Sequence, residues 1–208
     1  MACTFKMFPD DETGLNHWLN SGSAATATAE FVDNDNDDGE YIYENLNGHR
    51  ITFTFPDPVL DSGGSLADSD IDSITSVQLK FKASYTAGSG TTGLYTQLKG
   101  TDVDHAIETH NIASGGSYAT YSGDLETDSD DDNGDDWEYT HLQALQVFLR
   151  KNGNVTGRTE LRVSYLYVEV TYVAAALGYG NDVIGIDSGD ISTINGIATA
   201  NISKVNGV

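Results

Sequence analysis

Residues 77–85 read VQLKFKASY. Val77, Leu79, Phe81, Ala83 and Tyr85 share one parity, while Gln78, Lys80, Lys82 and Ser84 share the other. Side chains of an extended chain point alternately to opposite faces, so this order predicts a β-strand with one buried and one wet face. The stretch RITFTF at 50–55 repeats the arrangement, with Ile51, Phe53 and Phe55 inward and Thr52 and Thr54 outward. Pro56 and Pro58 follow, and a residue without an N–H cannot continue a central ladder, so the strand ends there.

Further short alternating runs lie at TATAEFV (26–32), EYIYEN (40–45), GLYTQLKG (93–100), an interval from Ala106 to Ile112, SYATYSG (117–123) and LQVFLRKNG (145–153). Clusters of Gly, Ser, Asn and Asp separate them, and Gly (22) and Tyr (11) are abundant while Pro (3) is scarce. This punctuation predicts an all-β chain, a jelly-roll-like antiparallel β-sandwich of about eight strands. TELRVSYLYVEVTYV (159–173) begins by alternating, Leu161, Val163 and Tyr165 against Arg162 and Ser164, and then turns apolar on both faces through Leu166, Val168 and Val170, which predicts a central strand covered on both sides. One helical turn is predicted at THLQAL (140–145), with Thr140 as cap, Gln143 three residues on, and Leu142 and Leu145 on one face.

A chain of 208 residues has room for one sandwich and an appendage. The boundary is placed after residue 176, giving a sandwich at 1–176 and a repetitive tail at 177–208. In the tail, DISTINGI (190–197) superposes on NISKVNGV (201–208). Its apolar residues recur at every third position, Ile191, Ile194 and Ile197, then Ile202, Val205 and Val208, and each copy carries an Asn-Gly turn pair. So short and Gly-rich a segment cannot bury these side chains against itself, so they are read as an assembly strip that needs a partner surface, a homotrimer being the expected one. Each side chain fully buried there would contribute about 1.5 kcal/mol or more.

The formal net charge is -22, from 32 Asp and Glu against 10 Lys and Arg. Such a balance argues against nucleic acid and anionic membrane as partners. It suits either a saline habitat, where self-repulsion is screened, or local cation binding. Cys3 is alone, so no disulfide forms within the chain. The N-terminal residues show no basic segment followed by an apolar one, and no run of apolar residues is long enough to span a bilayer, so neither Sec-type export nor membrane insertion is expected.

Two acidic loops approach calcium-loop spacing. DNDNDDGE (33–40) offers Asn34, Asn36 and Asp38 before Gly39, but the twelfth position, where a calcium loop has Glu, is Asn45. DSDDDNGDD (128–136) offers Ser129, Asp131 and Asn133 before Gly134. Asn34, Asn36, Asp38, Asp131 and Asn133 are therefore the candidate calcium ligands, against the simpler reading of both loops as solvated turns. No other cofactor is indicated.

No catalytic motif is present, and the chain is read as non-enzymatic. The sequence lacks a G-x-S-x-G elbow, an H-E-x-x-H pair and a phosphate loop. The histidines (His17, His49, His105, His110, His141) are dispersed, although His105 and His110 fall within reach of one hairpin. Tyr41, Tyr43, Tyr95, Tyr118, Tyr121 and Trp137 have ring faces suited to stacking on sugars, yet alternating Tyr also packs half-buried sheets. Asn154-Val155-Thr156 and Asn201-Ile202-Ser203 match glycosylation sequons.

Trp18, EYIYEN, ITSVQLKFKA (74–83), Trp137 ahead of LQALQV (142–147) and RVSYLYVEVTY (162–172) follow one another in an order that resembles β-sandwich proteins of tailed-phage and prophage structural modules. The terminal ISTINGIATANISKVNGV resembles the NGV-type repeats of virion and appendage proteins. The acidity is similar to that of viruses of salt-loving hosts. The resemblance implies a virion structural role such as capsid decoration, head fibre or tail appendage, with the capsid or tail lattice as partner and the virion surface as location. Recognition of a host-surface glycan by the same sandwich is the alternative. A β-sandwich hydrolase is a third reading, without residues that can be located.

Overall fold

The computed structural model describes residues 2–13, 18–21, 32, 40–58, 66–86, 91–129, 134–153, 159–175, 193–194 and 197–198. The strands are β1 (Ala2–Met7), β2 (Asp11–Thr13), β3 (Leu19–Asn20), β4 (Ile42–Glu44), β5 (Arg50–Thr54), β6 (Ile71–Tyr85), β7 (Thr91–Gly100), β8 (Val103–Asp104), β9 (Glu108–Ala113) and β10 (Ala119–Ser122). After the short helix α1 (Tyr139–Gln143) come β11 (Gln146–Asn152), β12 (Leu161–Ala174), β13 (Thr193–Ile194) and β14 (Ile197–Ala198).

Twelve of these strands form two six-stranded antiparallel sheets, four more than the eight expected: β2, β3 and β8 are too short to show any alternation, and β1 is the fourth. The first sheet runs β10-β6-β12-β4-β3, with β1 also on β12; the second runs β2-β5-β11-β7-β8, with β9 also on β7. The fold is thus the jelly-roll-like antiparallel sandwich that the alternation predicts.

One edge of β12 serves two partners in succession. β4 pairs Leu161 to Val163, and β1 pairs Val168 to Val173. Between them the Leu166 N–H donates to the Val32 carbonyl at 2.8 Å, so the ladder continues across the gap.

The inward faces meet in one core. Val77, Leu79, Phe81, Ala83 and Tyr85 are all buried, as are Ile51, Phe53 and Phe55, and they pack with Trp18, Leu94, Val147, Leu149 and Val168. Burial of each large apolar side chain contributes about 1.5–3 kcal/mol, which is what holds the sheets together.

Three expectations are corrected. β12 is central, but the apolar run has a different cause: the pairing with β6 slips between Val163 and Tyr165. A one-residue bulge inverts the inward parity. Leu161 and Val163 point inward before it and Leu166, Val168 and Val170 after it, while Tyr165, opposite Lys82, faces out. Ser84, read as wet, is buried without exposed area. The helix is capped at Glu138, whose N–H donates to His141 Nδ1 at 3.0 Å, in place of Thr140 and Gln143; Leu142 and Leu145 are buried as expected.

β13 and β14 pair with each other, Ile194 opposite Ile197, and join neither large sheet among the described residues. The other strip residues, Ile191, Ile202, Val205 and Val208, lie outside the described residues, as does nearly all of TATAEFV. No helix among the described residues is long and apolar enough to cross a membrane.

Candidate ligand-binding face

The registers decide what the outer surface of the first sheet carries. Paired residues share a face, so Lys6 stands opposite Glu169, Lys80 opposite Tyr167, Lys82 opposite Tyr165, and Ser84 and Tyr43 both beside Arg162. These side chains form two aromatic groups on one sheet surface.

In the first group, Tyr41 and Tyr43 meet edge to face at 6.1 Å between centroids, and Tyr118 lies 6.5 Å from Tyr41. The Arg162 guanidinium lies 4.5 Å from the Tyr41 ring centroid and is held by Glu160. All three tyrosines are partly exposed.

The second group follows from the bulge. Phe8 lies 5.8 Å from Tyr165 and 5.9 Å from Tyr167, and these two tyrosines are 5.1 Å apart. Lys6 sits 4.6 Å above Tyr167 and Lys82 5.9 Å from Tyr165, while Lys80 pairs with Glu169. Tyr165 is buried and the Tyr118 hydroxyl is covered, so the accessible groups are the Tyr41, Tyr43, Phe8 and Tyr167 rings and the neighbouring ammonium groups, which match a ligand that offers both C–H and hydroxyl groups.

Of the aromatics singled out from sequence, this face holds Tyr41, Tyr43 and Tyr118. Tyr95 is on the outer surface of the second sheet, under Arg150. Tyr121 points inward and stacks on Phe81 at 5.4 Å, and Trp137 is buried against His105 at 5.6 Å. Phe8, Tyr165, Tyr167 and Arg162 were not anticipated; the signal that would have found the two tyrosines is the parity break at 163–165.

His105 and His110 do come close to one cluster, at the open edge between β9 and the segment after β10. His110 Nε2 lies 2.9 Å from Thr96 Oγ1 and 3.6 Å from Glu108 Oε2; His105 Nδ1 lies 3.3 Å from Glu126 Oε2. Glu108 Oε2 accepts the Asp124 N–H at 2.9 Å, which ties the second sheet to the first. Burial pushes the Glu108 carboxyl above, and the His110 imidazole below, their ordinary ranges. The cluster holds the two sheets together.

Asn34, Asn36, Asp38, Asp131 and Asn133 lie outside the described residues, as do both sequons. Of the second acidic loop the ends are described: Asp128 bridges to Asp136, and Ser129 gives both its N–H and its hydroxyl to the Asp135 carbonyl, at 2.7 and 3.2 Å. Ser129 is therefore engaged in closing the loop. Among the described residues no three His, Cys, Asp or Glu side chains are grouped so as to hold a metal ion.

No family model and no curated protein matches the chain. Among solved structures it is similar to the enzymatically active domain of tailspike protein 4 of bacteriophage CBA120, with a TM-score of 0.40 and 12% identity over 80% of this chain. The chain spans only 19% of that protein's length. It is also similar to a family 11 carbohydrate-binding module from Clostridium thermocellum (TM-score 0.37, 9% identity, 84% of this chain and 89% of the other). A CBM4 structure gives a TM-score of 0.36 at 10% identity, over 74% of this chain and 94% of the other. These are loose likenesses of shape and carry no functional weight.

Proposed function

We propose that the chain is a non-catalytic, glycan-binding β-sandwich displayed on a virus particle, and that it binds saccharide on the outer face of its first sheet. The supporting observation is the gathering of the partly exposed Tyr41, Tyr43, Tyr118 and Arg162, beside Phe8 and Tyr167, on one sheet surface, with Tyr165 buried beneath the second group. Tyrosine can bury apolar area against a sugar and keep its hydroxyl hydrated, at low cost in side-chain entropy. The virion setting rests on the resemblance carried by the sequence.

Glycan-array screening of the full chain, followed by calorimetry on the best ligand, tests the site. The double variant Tyr41→Ala/Tyr43→Ala is expected to abolish detectable binding while leaving the unfolding transition in place. A chain that binds no saccharide, or a variant that binds as tightly as the parent, overturns the proposal.

The structural reading, assembly through the C-terminal strip, is favoured by one observation. Among the described residues β13 and β14 pair only with each other, and a lone two-stranded pair is marginal in water. On this reading residues 177–208 mediate homotrimerisation or anchoring to a capsid or tail lattice. Truncation after residue 176 is expected to give a folded monomer by sedimentation; a truncated chain with the oligomeric state of the parent refutes it.

A further inference from the structure

The second sheet carries a feature that the glycan face does not use. Arg150 on β11 stands directly opposite Arg50 on β5, and on its other side opposite Tyr95 on β7. Like charges in directly opposed positions destabilise a strand pair. The chain has 32 carboxylates with which to neutralise this pair. Yet no carboxylate forms an ion pair with either arginine among the described residues.

The rows around the pair are equally telling. Asn152 lies one outward position beyond Arg150 along β11, and its amide donates to the Tyr95 hydroxyl. On the other side come Thr52, Phe148 and Gln97, and then Thr54, Gln146 and Lys99, with Lys99 lying 5.6 Å from the Phe148 ring. The strand carboxylates of this face, Asp11 and Asp104, belong to that last row. Four residues of extended chain separate it from Arg150, about 13 Å. That exceeds the Debye length of about 8 Å at physiological ionic strength, so neither carboxylate offsets the arginine pair. The outcome is a local cationic row, stiffened where Arg150 lies 4.7 Å over the Tyr95 ring, on a molecule of net charge -22.

We infer that the Arg50–Arg150 row is a second binding site, independent of the tyrosine face, and that its ligand is an acidic polysaccharide. A carboxylate or sulfate seated between the guanidiniums would accept paired N–H groups from both and replace their repulsion by attraction. The partly exposed Tyr95 ring and the Gln97 amide alongside suit the sugar ring that bears the anion, while Phe148 is buried beneath Lys99. The carboxylates scattered elsewhere select against compact polyanions such as duplex nucleic acid, which cannot reach this row without meeting them.

The test is calorimetry of the full chain at about 0.15 M salt with a polyuronate, a sulfated dextran, neutral dextran and duplex DNA. The expected result is binding of one or both acidic polysaccharides and of neither dextran nor DNA. Arg50→Gln/Arg150→Gln is expected to weaken that binding by roughly tenfold or more and to raise the unfolding midpoint, since the repulsion is gone. Tyr41→Ala/Tyr43→Ala is expected to leave it unchanged, which separates this site from the one proposed above. No binding of either acidic polymer, equal binding of DNA, or full binding by the arginine double variant overturns the inference, whatever the tyrosine face binds.

Discussion

Arg162 lies over Tyr41 with its guanidinium carbon 4.5 Å from the ring centroid, while its Nε and Nη2 both donate to Glu160 Oε2, at 2.9 and 2.6 Å. Glu160 thus fixes the plane of the guanidinium, and the guanidinium in turn fixes the ring. A saccharide face is effective when its rings are already oriented, because ordering them on binding costs free energy.

Arg162→Ala is accordingly expected to weaken saccharide binding by roughly tenfold, from the loss of one cation–π contact and of ring order. Arg162→Lys is expected to restore little, since an ammonium cannot hold a planar fork to Glu160 and stack on Tyr41 together. Calorimetry on both variants, with the unfolding midpoint as control, decides between an orienting role and a merely charged one.

Ser84 is the neighbour of Arg162 across the β6–β12 ladder, yet its hydroxyl is buried with no hydrogen-bond partner among the described residues. A buried unpartnered hydroxyl costs about 1–3 kcal/mol. Ser84→Ala is therefore expected to raise the stability of the chain by up to about 1 kcal/mol, part of the gain being lost to the vacated volume. Urea denaturation measures it; a clear loss of stability would show that the hydroxyl has a partner in solution.

The sandwich was legible wherever period-two alternation ran unbroken, as in 77–85 and 50–55. It failed at Val163–Tyr165 because a bulge adds one residue and turns a reversal of parity into what looks like continuous apolar sequence. That reversal also concealed the second aromatic group of the candidate face, since Tyr165 and Tyr167 change sides with it. β1 shows inward Phe5 and Met7 with outward Thr4 and Lys6, but six residues at a chain end gave no reason to expect docking on β12. Tyr121 and Trp137 could not be separated from surface tyrosines by composition, because only the packing of Phe81 and His105 shows that they face inward.

The edge cluster gives the chain a defined acid response. His110 is held below the ordinary imidazole value of 6.5, chiefly by burial, so the unfolded chain takes up a proton there before the folded one does. Its contribution to stability is complete above 6.5 and is lost as pH falls from 6.5 through the lowered folded value. Glu108 is raised above 4.5, again chiefly by burial, so it favours the folded state below 4.5 and loses that contribution as pH rises through its folded value. His110→Gln is expected to flatten the loss of stability between neutral pH and about 5.5, and Glu108→Gln to raise stability at neutral pH. Urea midpoints at the two pH values check both, and an unchanged slope in His110→Gln contradicts the assignment.

Lys151 continues the inward parity of Val147 and Leu149 and is fully buried, with its ammonium donating to the Glu44 carbonyl at 3.3 Å. Burial holds its pKa below the usual lysine value of 10.5, with the Glu44 charge opposing the shift. The Glu44 carboxylate has other donors: the Asn45 and Leu46 N–H groups at 2.8 and 2.7 Å and His49 Nδ1 at 2.9 Å. Removing the ammonium therefore does not leave Glu44 bare, whereas keeping it costs the desolvation of a charge. Lys151→Met is expected to raise stability by about 1 kcal/mol at neutral pH. Because the folded pKa is lowered, the unfolded chain binds the extra proton up to 10.5, so the parent gains stability as pH rises through the folded value toward 10.5 and the gap to the variant narrows. Urea midpoints at neutral pH and near pH 10 measure this; a gap that widens with pH would mean that Lys151 is stabilised in its charged form and that Glu44 outweighs burial.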